Sequence, residues 1–135
     1  MPAALTGYSG TPLARKLGVK PGSTLRLVNA PEDFEIDLPD GVSVRRSGPY
    51  AADVVVLFTT SYADLARRIE ALGRAIHPDR ALWVAWPKRS SGVPTDLTED
   101  SLREVALPLG LVDNKVCAVT DVWSGLRLVW RKERR

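Results

Sequence analysis

The chain has 135 residues, the length of one domain able to bury a core of its own. Its 19 Lys and Arg against 16 Asp and Glu leave a net charge of +3, too mild to point to nucleic acid. The single Cys117 excludes an internal disulfide and a multi-cysteine metal site, and the single His77 removes most zinc and triad schemes. No metal site is expected.

Taken in chain order, residues 1–10 are small and polar and read as an irregular N-terminal arm. They lack an apolar signal core, and no apolar run approaches membrane-spanning length, so the expected location is the cytoplasm. Thr11 can cap a short helix with Pro12 at its first position, Leu13 and Leu17 inside and Gly18 at its end. TLRLVN, residues 24–29, is a first strand. Pro31–Ile36 is expected to form one helical turn, and Val42–Arg46 a short second strand.

Residues 52–58 form the third strand. Val54, Val55, Val56, Leu57 and Phe58 do not alternate, so both faces are covered, as in a central parallel strand between helical layers. Ser61 opens a helix with Asp64 three residues on, a variant of the capping box. Leu65, Ile69, Leu72 and Ile76 form its buried stripe, and His77-Pro78 ends it. Ala81–Trp86 is a fourth strand, apolar on both faces. Residues 87–95, PKRSSGVPT, form a loop. Asp96 and Glu99 have capping-box spacing for a helix that ends at Pro108-Leu109-Gly110. Leu111–Val119 and Leu126–Arg131 are the last strands. The short connection Asp121–Gly125 makes them an antiparallel hairpin. Arg131, Lys132, Arg134 and Arg135 leave a basic tail, residues 132–135, expected to be solvated and frayed.

This order predicts a single α/β domain over 1–135: a Rossmann-like three-layer sandwich whose mostly parallel sheet of about six strands ends in an antiparallel hairpin. ADVVVLF, the helix after it and HPDRALWVAWP resemble the fourth strand, the following helix and the fifth strand of the class I methyltransferase fold. That resemblance covers the C-terminal two thirds. It implies a methyltransferase-like topology with a shortened N-terminal half, because only residues 30–51 separate strands one and three. It also implies a glycine-rich turn after strand one and an acid at the end of strand two. Here those places hold Asn29-Ala30-Pro31-Glu32 and Arg45-Arg46, so no S-adenosylmethionine site and no cofactor are expected.

Several stretches, in order, resemble a bacterial family catalogued as domain of unknown function 3052. They are GYSGTPLARKLG (7–18), LVNAP (27–31), LWVAWPKRSSG (82–92), TDLTED (95–100) and LPLGLVDNKVCAV (107–119). The resemblance spans nearly the whole chain and implies a fold but no activity.

A ligand of an open α/β sheet sits beyond the carboxyl ends of its strands, at the topological switch point. Between strands one and three, that place is lined by Asn29, Thr59, Thr60 and Ser61, with Lys88, Arg89, Ser90, Ser91 and Gly92 close by. Free N–H groups at Ser61 and the charges of Lys88 and Arg89 would suit a phosphate or carboxylate; simple capping and a solvated loop explain the same residues. Tyr8 in the arm and Trp123 in the hairpin turn are candidate partner contacts, with packing roles as the alternative. No pair of residues has spacing that demands catalysis, and none is assigned a catalytic role. The expected function is a non-catalytic module that binds or regulates a protein partner. One alternative is a binder of, or enzyme acting on, a small anionic ligand. A second is a weak nucleic-acid binder using Arg45-Arg46 and the tail.

Overall fold

The computed structural model describes residues 12–135. The arm with Tyr8, and Thr11, lie outside the described residues. Helix α1 (Leu13–Leu17) follows Pro12 and ends at Gly18. Strands β1 (Thr24–Val28), β2 (Ser43–Arg45) and β3 (Val54–Phe58) precede helix α2 (Tyr62–Ile76) and strand β4 (Ala81–Pro87). Helix α3 (Glu99–Ala106) and strands β5 (Leu111–Ala118) and β6 (Trp123–Trp130) complete the fold.

The six strands form one sheet in the order β2-β1-β3-β4-β6-β5. β1 lies parallel to β2 and to β3, and β3 is parallel to β4. β6 runs antiparallel to both β4 and β5. This is the α/β architecture that the non-alternating strands require. Val55 and Leu57 of β3 enter one core; Val54, Val56 and Phe58 enter the other.

The two cores differ in cover. On one face Leu65, Ile69, Leu72 and Ile76 of α2, with Leu102 and Ala106 of α3, pack on Leu82, Val84, Leu126 and Leu128. Each of those α2 side chains contributes roughly 1.5–3 kcal/mol by burial. The Ser61 cap adds about 1 kcal/mol, so packing rather than capping fixes this helix. The other face has a thinner layer, made by α1 and the segment after β1. There the Trp83 indole N–H donates to the Leu17 carbonyl at 3.0 Å.

That segment departs from expectation. Pro31–Ile36 makes no helix; it makes one turn, closed by the Phe34 amide on the Pro31 carbonyl at 3.0 Å. Beyond it Phe34 is buried and Ile36 and Leu38 are half-buried, while Glu35 and Asp37 face out. This period-two pattern lays an extended cover over the sheet, and Phe34 meets Phe58 at 5.0 Å. α3 is capped by Thr98 and Ser101, not by Asp96 and Glu99, because Asp96 has a tertiary partner described below. The β5–β6 turn closes earlier than Asp121–Gly125. The Val119 amide meets the Trp123 carbonyl at 2.8 Å, and Trp123, Ser124 and Gly125 belong to β6.

The basic tail is exposed but not frayed. Lys132–Arg134 forms a 3-10 turn, and the Arg135 guanidinium donates to the Trp130 carbonyl at 2.9 Å. The His77 ring lies 2.7 Å from the Arg134 carbonyl and edge-on to Trp130. Cys117 is half-buried on β5, and burial raises its thiol pKa.

Gly125 of β6 stands tightly against Val119 and Trp83 of the second core. A Cβ there would stand 2.8 Å from Val119 and 3.2 Å from the Trp83 ring. Gly125→Ala is therefore expected to destabilise the fold by about 1–3 kcal/mol, read from the midpoint of urea unfolding. An unchanged midpoint would show that Val119 and Trp83 yield freely.

Candidate functional site

β1 has β2 on one side and β3 on the other, so the chain crosses back over β1 between those two strands. The carboxyl ends of β1 and β3 make the switch point, and a cleft of about 340 Å³ opens there. Asn29 follows β1, Phe58 ends β3, Thr59, Thr60 and Ser61 lead into α2, and Asp64 stands in its first turn. Trp123, the first residue of β6, forms the far wall. Of the residues proposed from the sequence, Asn29, Thr59, Thr60, Ser61 and Trp123 meet in this cleft.

The Lys88–Gly92 loop does not line it. Arg89–Ser91 winds into a 3-10 turn ended by Gly92 at φ 77°. The Ser91 hydroxyl donates to the Lys88 carbonyl at 2.7 Å and accepts from the Val93 amide at 3.2 Å. The Lys88 amide donates to the Val122 carbonyl at 2.7 Å, which ties the loop to the β5–β6 turn. Local bonds account for Ser91; Arg89, Ser90 and Gly92 face solvent.

Polar groups in the cleft are largely committed. The Ser61 hydroxyl accepts from the Asp64 amide at 3.1 Å, the cap that the spacing predicted. The Asp64 carboxylate does not reach back to Ser61. It accepts from the Thr59 hydroxyl at 2.9 Å and from the guanidinium groups of Arg67 and Arg68. Burial alone would raise this carboxyl, but hydrogen bonds from Arg67, Arg68 and Thr59 hold it below its ordinary value.

The positive end of α2 is also taken. The Tyr62 amide donates to the Asp96 carboxylate at 2.8 Å, across 34 residues of sequence. Beside it the Thr95 hydroxyl donates to the Thr60 carbonyl at 2.6 Å. The anion suited to this helix end is supplied by the chain itself.

Behind the cleft runs a second set of contacts that the sequence did not announce. Arg68 donates to the Tyr50 hydroxyl at 2.8 Å, and the Arg26 guanidinium lies 5.4 Å from the Tyr50 ring centroid. Arg26 is 5 % exposed, and burial lowers its pKa. It donates to the carbonyls of Leu27, Gly48 and Pro49 at 2.6–3.1 Å. An arginine inside the apolar text TLRLV was the available signal, but nothing local names its partners. Asp64 lay within reach of sequence reasoning as a cap; its place in the cleft wall did not.

Arg45, at the end of β2, donates to the Ala51 carbonyl at 2.5 Å, and Arg46 is exposed. Among the described residues no cluster of His, Cys, Asp and Glu could hold a metal ion.

No protein-family model and no curated protein matches the chain by sequence. Solved structures match it in fold. A SAM dependent methyltransferase from Aquifex aeolicus is 15 % identical, with a TM-score of 0.58 over 86 % of this chain and 86 % of that one. Magnesium protoporphyrin IX methyltransferase from Synechocystis PCC 6803, solved with bound SAM, is 8 % identical, with a TM-score of 0.56 over 88 % and 74 %. A protein of the NADB-Rossmann superfamily from Streptococcus agalactiae is 12 % identical, with a TM-score of 0.53 over 95 % and 71 %. The fold is thus Rossmann-like, of the class I methyltransferase kind. Identities this low carry the fold alone.

Because the folded state holds Asp64 ionised below its usual range, the stability it adds is present above pH about 4 and is lost as pH falls through the folded value. Asp64→Asn is expected to lower stability by about 1–2 kcal/mol at neutral pH. That gap should close as pH falls below the carboxylate range in paired urea titrations. A gap that persists at the acid end would contradict the ionic role.

Proposed function

We propose that this chain is a non-catalytic binding or regulatory module built on the methyltransferase fold, and a member of the bacterial family whose segments it resembles, domain of unknown function 3052. The observation that carries the reading is the Asp96 carboxylate on the Tyr62 amide, which fills the anion position at the head of α2. Two further features support it. The turn after β1 has no glycine, and Asn29 itself takes the left-handed conformation at φ 59°. Arg45 stands where an acid would accept from ribose hydroxyls; a guanidinium only donates, and this one is committed to Ala51. These residues do not suit S-adenosylmethionine.

The same geometry weighs against a small anionic ligand. Among the described residues the cleft wall bears the Asp64 carboxylate and no lysine or arginine, and Lys88 and Arg89 stand outside it. Nucleic-acid binding through the tail is disfavoured by the bonds that fold Arg134 and Arg135 back on the domain.

A thermal-shift panel of S-adenosylmethionine, S-adenosylhomocysteine, nucleotides and dinucleotides tests the reading. A ligand at roughly a hundred times its Kd stabilises by about 2.7 kcal/mol, which moves the Tm by several degrees. No specific shift is expected for any of these compounds. A specific shift with any of them would overturn the reading, and its loss in the Lys88→Ala/Arg89→Ala double variant would place an anionic ligand at the loop after β4.

A further inference from the structure

We propose that the cleft takes a small, uncharged heteroaromatic molecule, its ring stacked on Trp123 and its edge paired with the Asn29 carboxamide. This rests on the binding-module reading above and gives that module a ligand class.

The first support is charge. Asp64 is the ionisable side chain of the cleft wall, and its oxygens are already shared among Thr59, Arg67 and Arg68. Among the described residues an ion of either sign finds no open counter-charge there. The groups left open are neutral. The Asn29 carboxamide, the Thr60 hydroxyl and the Trp123 indole N–H have no hydrogen-bond partner among the described residues.

The second support is shape. A carboxamide holds a donor and an acceptor side by side in one plane, which complements a ring edge carrying an adjacent acceptor and donor. Trp123 supplies an aromatic surface already fixed in place. Phe58 meets it edge-to-face, with centroids 5.3 Å apart and planes at 82°. A ring stacking on a held indole loses little further side-chain freedom. The volume of about 340 Å³ sits at the small end of ligand sites and suits one or two rings. Trp123 pairs with Pro87 in register, so the stack lies toward the end of β4 and away from Arg45 at the end of β2.

Side-chain NMR of the whole chain tests this, with nicotinamide and adenine as neutral rings and inorganic phosphate as the anionic control. The expected result is a saturable shift of the Trp123 indole N–H and the Asn29 side-chain N–H resonances with at least one ring, and none with phosphate. Affinity should fall by roughly tenfold or more in Asn29→Gly, which accommodates the backbone at φ 59°, and in Trp123→Leu. No saturable shift with either ring overturns the proposal. So do shifts that survive Asn29→Gly unchanged, or phosphate moving the same resonances. Titration with S-adenosylmethionine separates the two failures. Saturable binding of it contradicts a module without an S-adenosylmethionine site, whereas silence toward every compound contradicts the ligand class alone.

Discussion

A helix that starts beyond the carboxyl end of a parallel strand points free amides and a positive dipole end at the place where such sheets bind ligands. In this chain two of its own oxygen acceptors meet that demand at α2. Ser61 takes the Asp64 amide, and Asp96 takes the Tyr62 amide from 34 residues away. The second bond does more than cap. Together with Thr95 on the Thr60 carbonyl, it docks the stretch leading into α3 against the head of α2. The loop path and the shape of the cleft follow from where those amides find acceptors, while apolar packing holds the helix itself.

The electrostatics behind the cleft follow the same economy. Asp64 anchors Arg68, Arg68 holds the Tyr50 hydroxyl, and the Tyr50 ring covers the buried Arg26. Arg26 in turn collects the carbonyls of the loop between β2 and β3. A buried guanidinium is costly unless its donors are used, and here backbone acceptors use them. The contacts therefore link the cleft wall to the edge of the sheet. What the cleft still offers is neutral: an amide, a hydroxyl and an indole.

Much of this was legible in the residues. Val54–Phe58 and Ala81–Trp86 are apolar on both faces, which only a doubly covered strand permits, and the stripe of α2 fixes its inner side. The switch point followed from strand order. The misreadings have physical causes. Pro31 suggested a helix start, yet Phe34, Ile36 and Leu38 alternate with Glu35 and Asp37, a period that an extended cover obeys. Asp96 and Glu99 have the spacing of a capping box, but Thr98 and Ser101 fit it too, and a long-range amide drew Asp96 away. Trp123 sits near a turn in sequence and at a strand start in space. The partners of Arg26 and Asp64 come from distant segments, which no local pattern encodes.

Hydrogen exchange at the Tyr62 amide, compared between the wild type and Asp96→Ala, tests the closure of α2 most directly. Protection should fall when the carboxylate is removed and should be partly restored by added sulfate, the anion taking the vacated position. A Tyr62 amide equally protected in both proteins would contradict a helix end closed by Asp96.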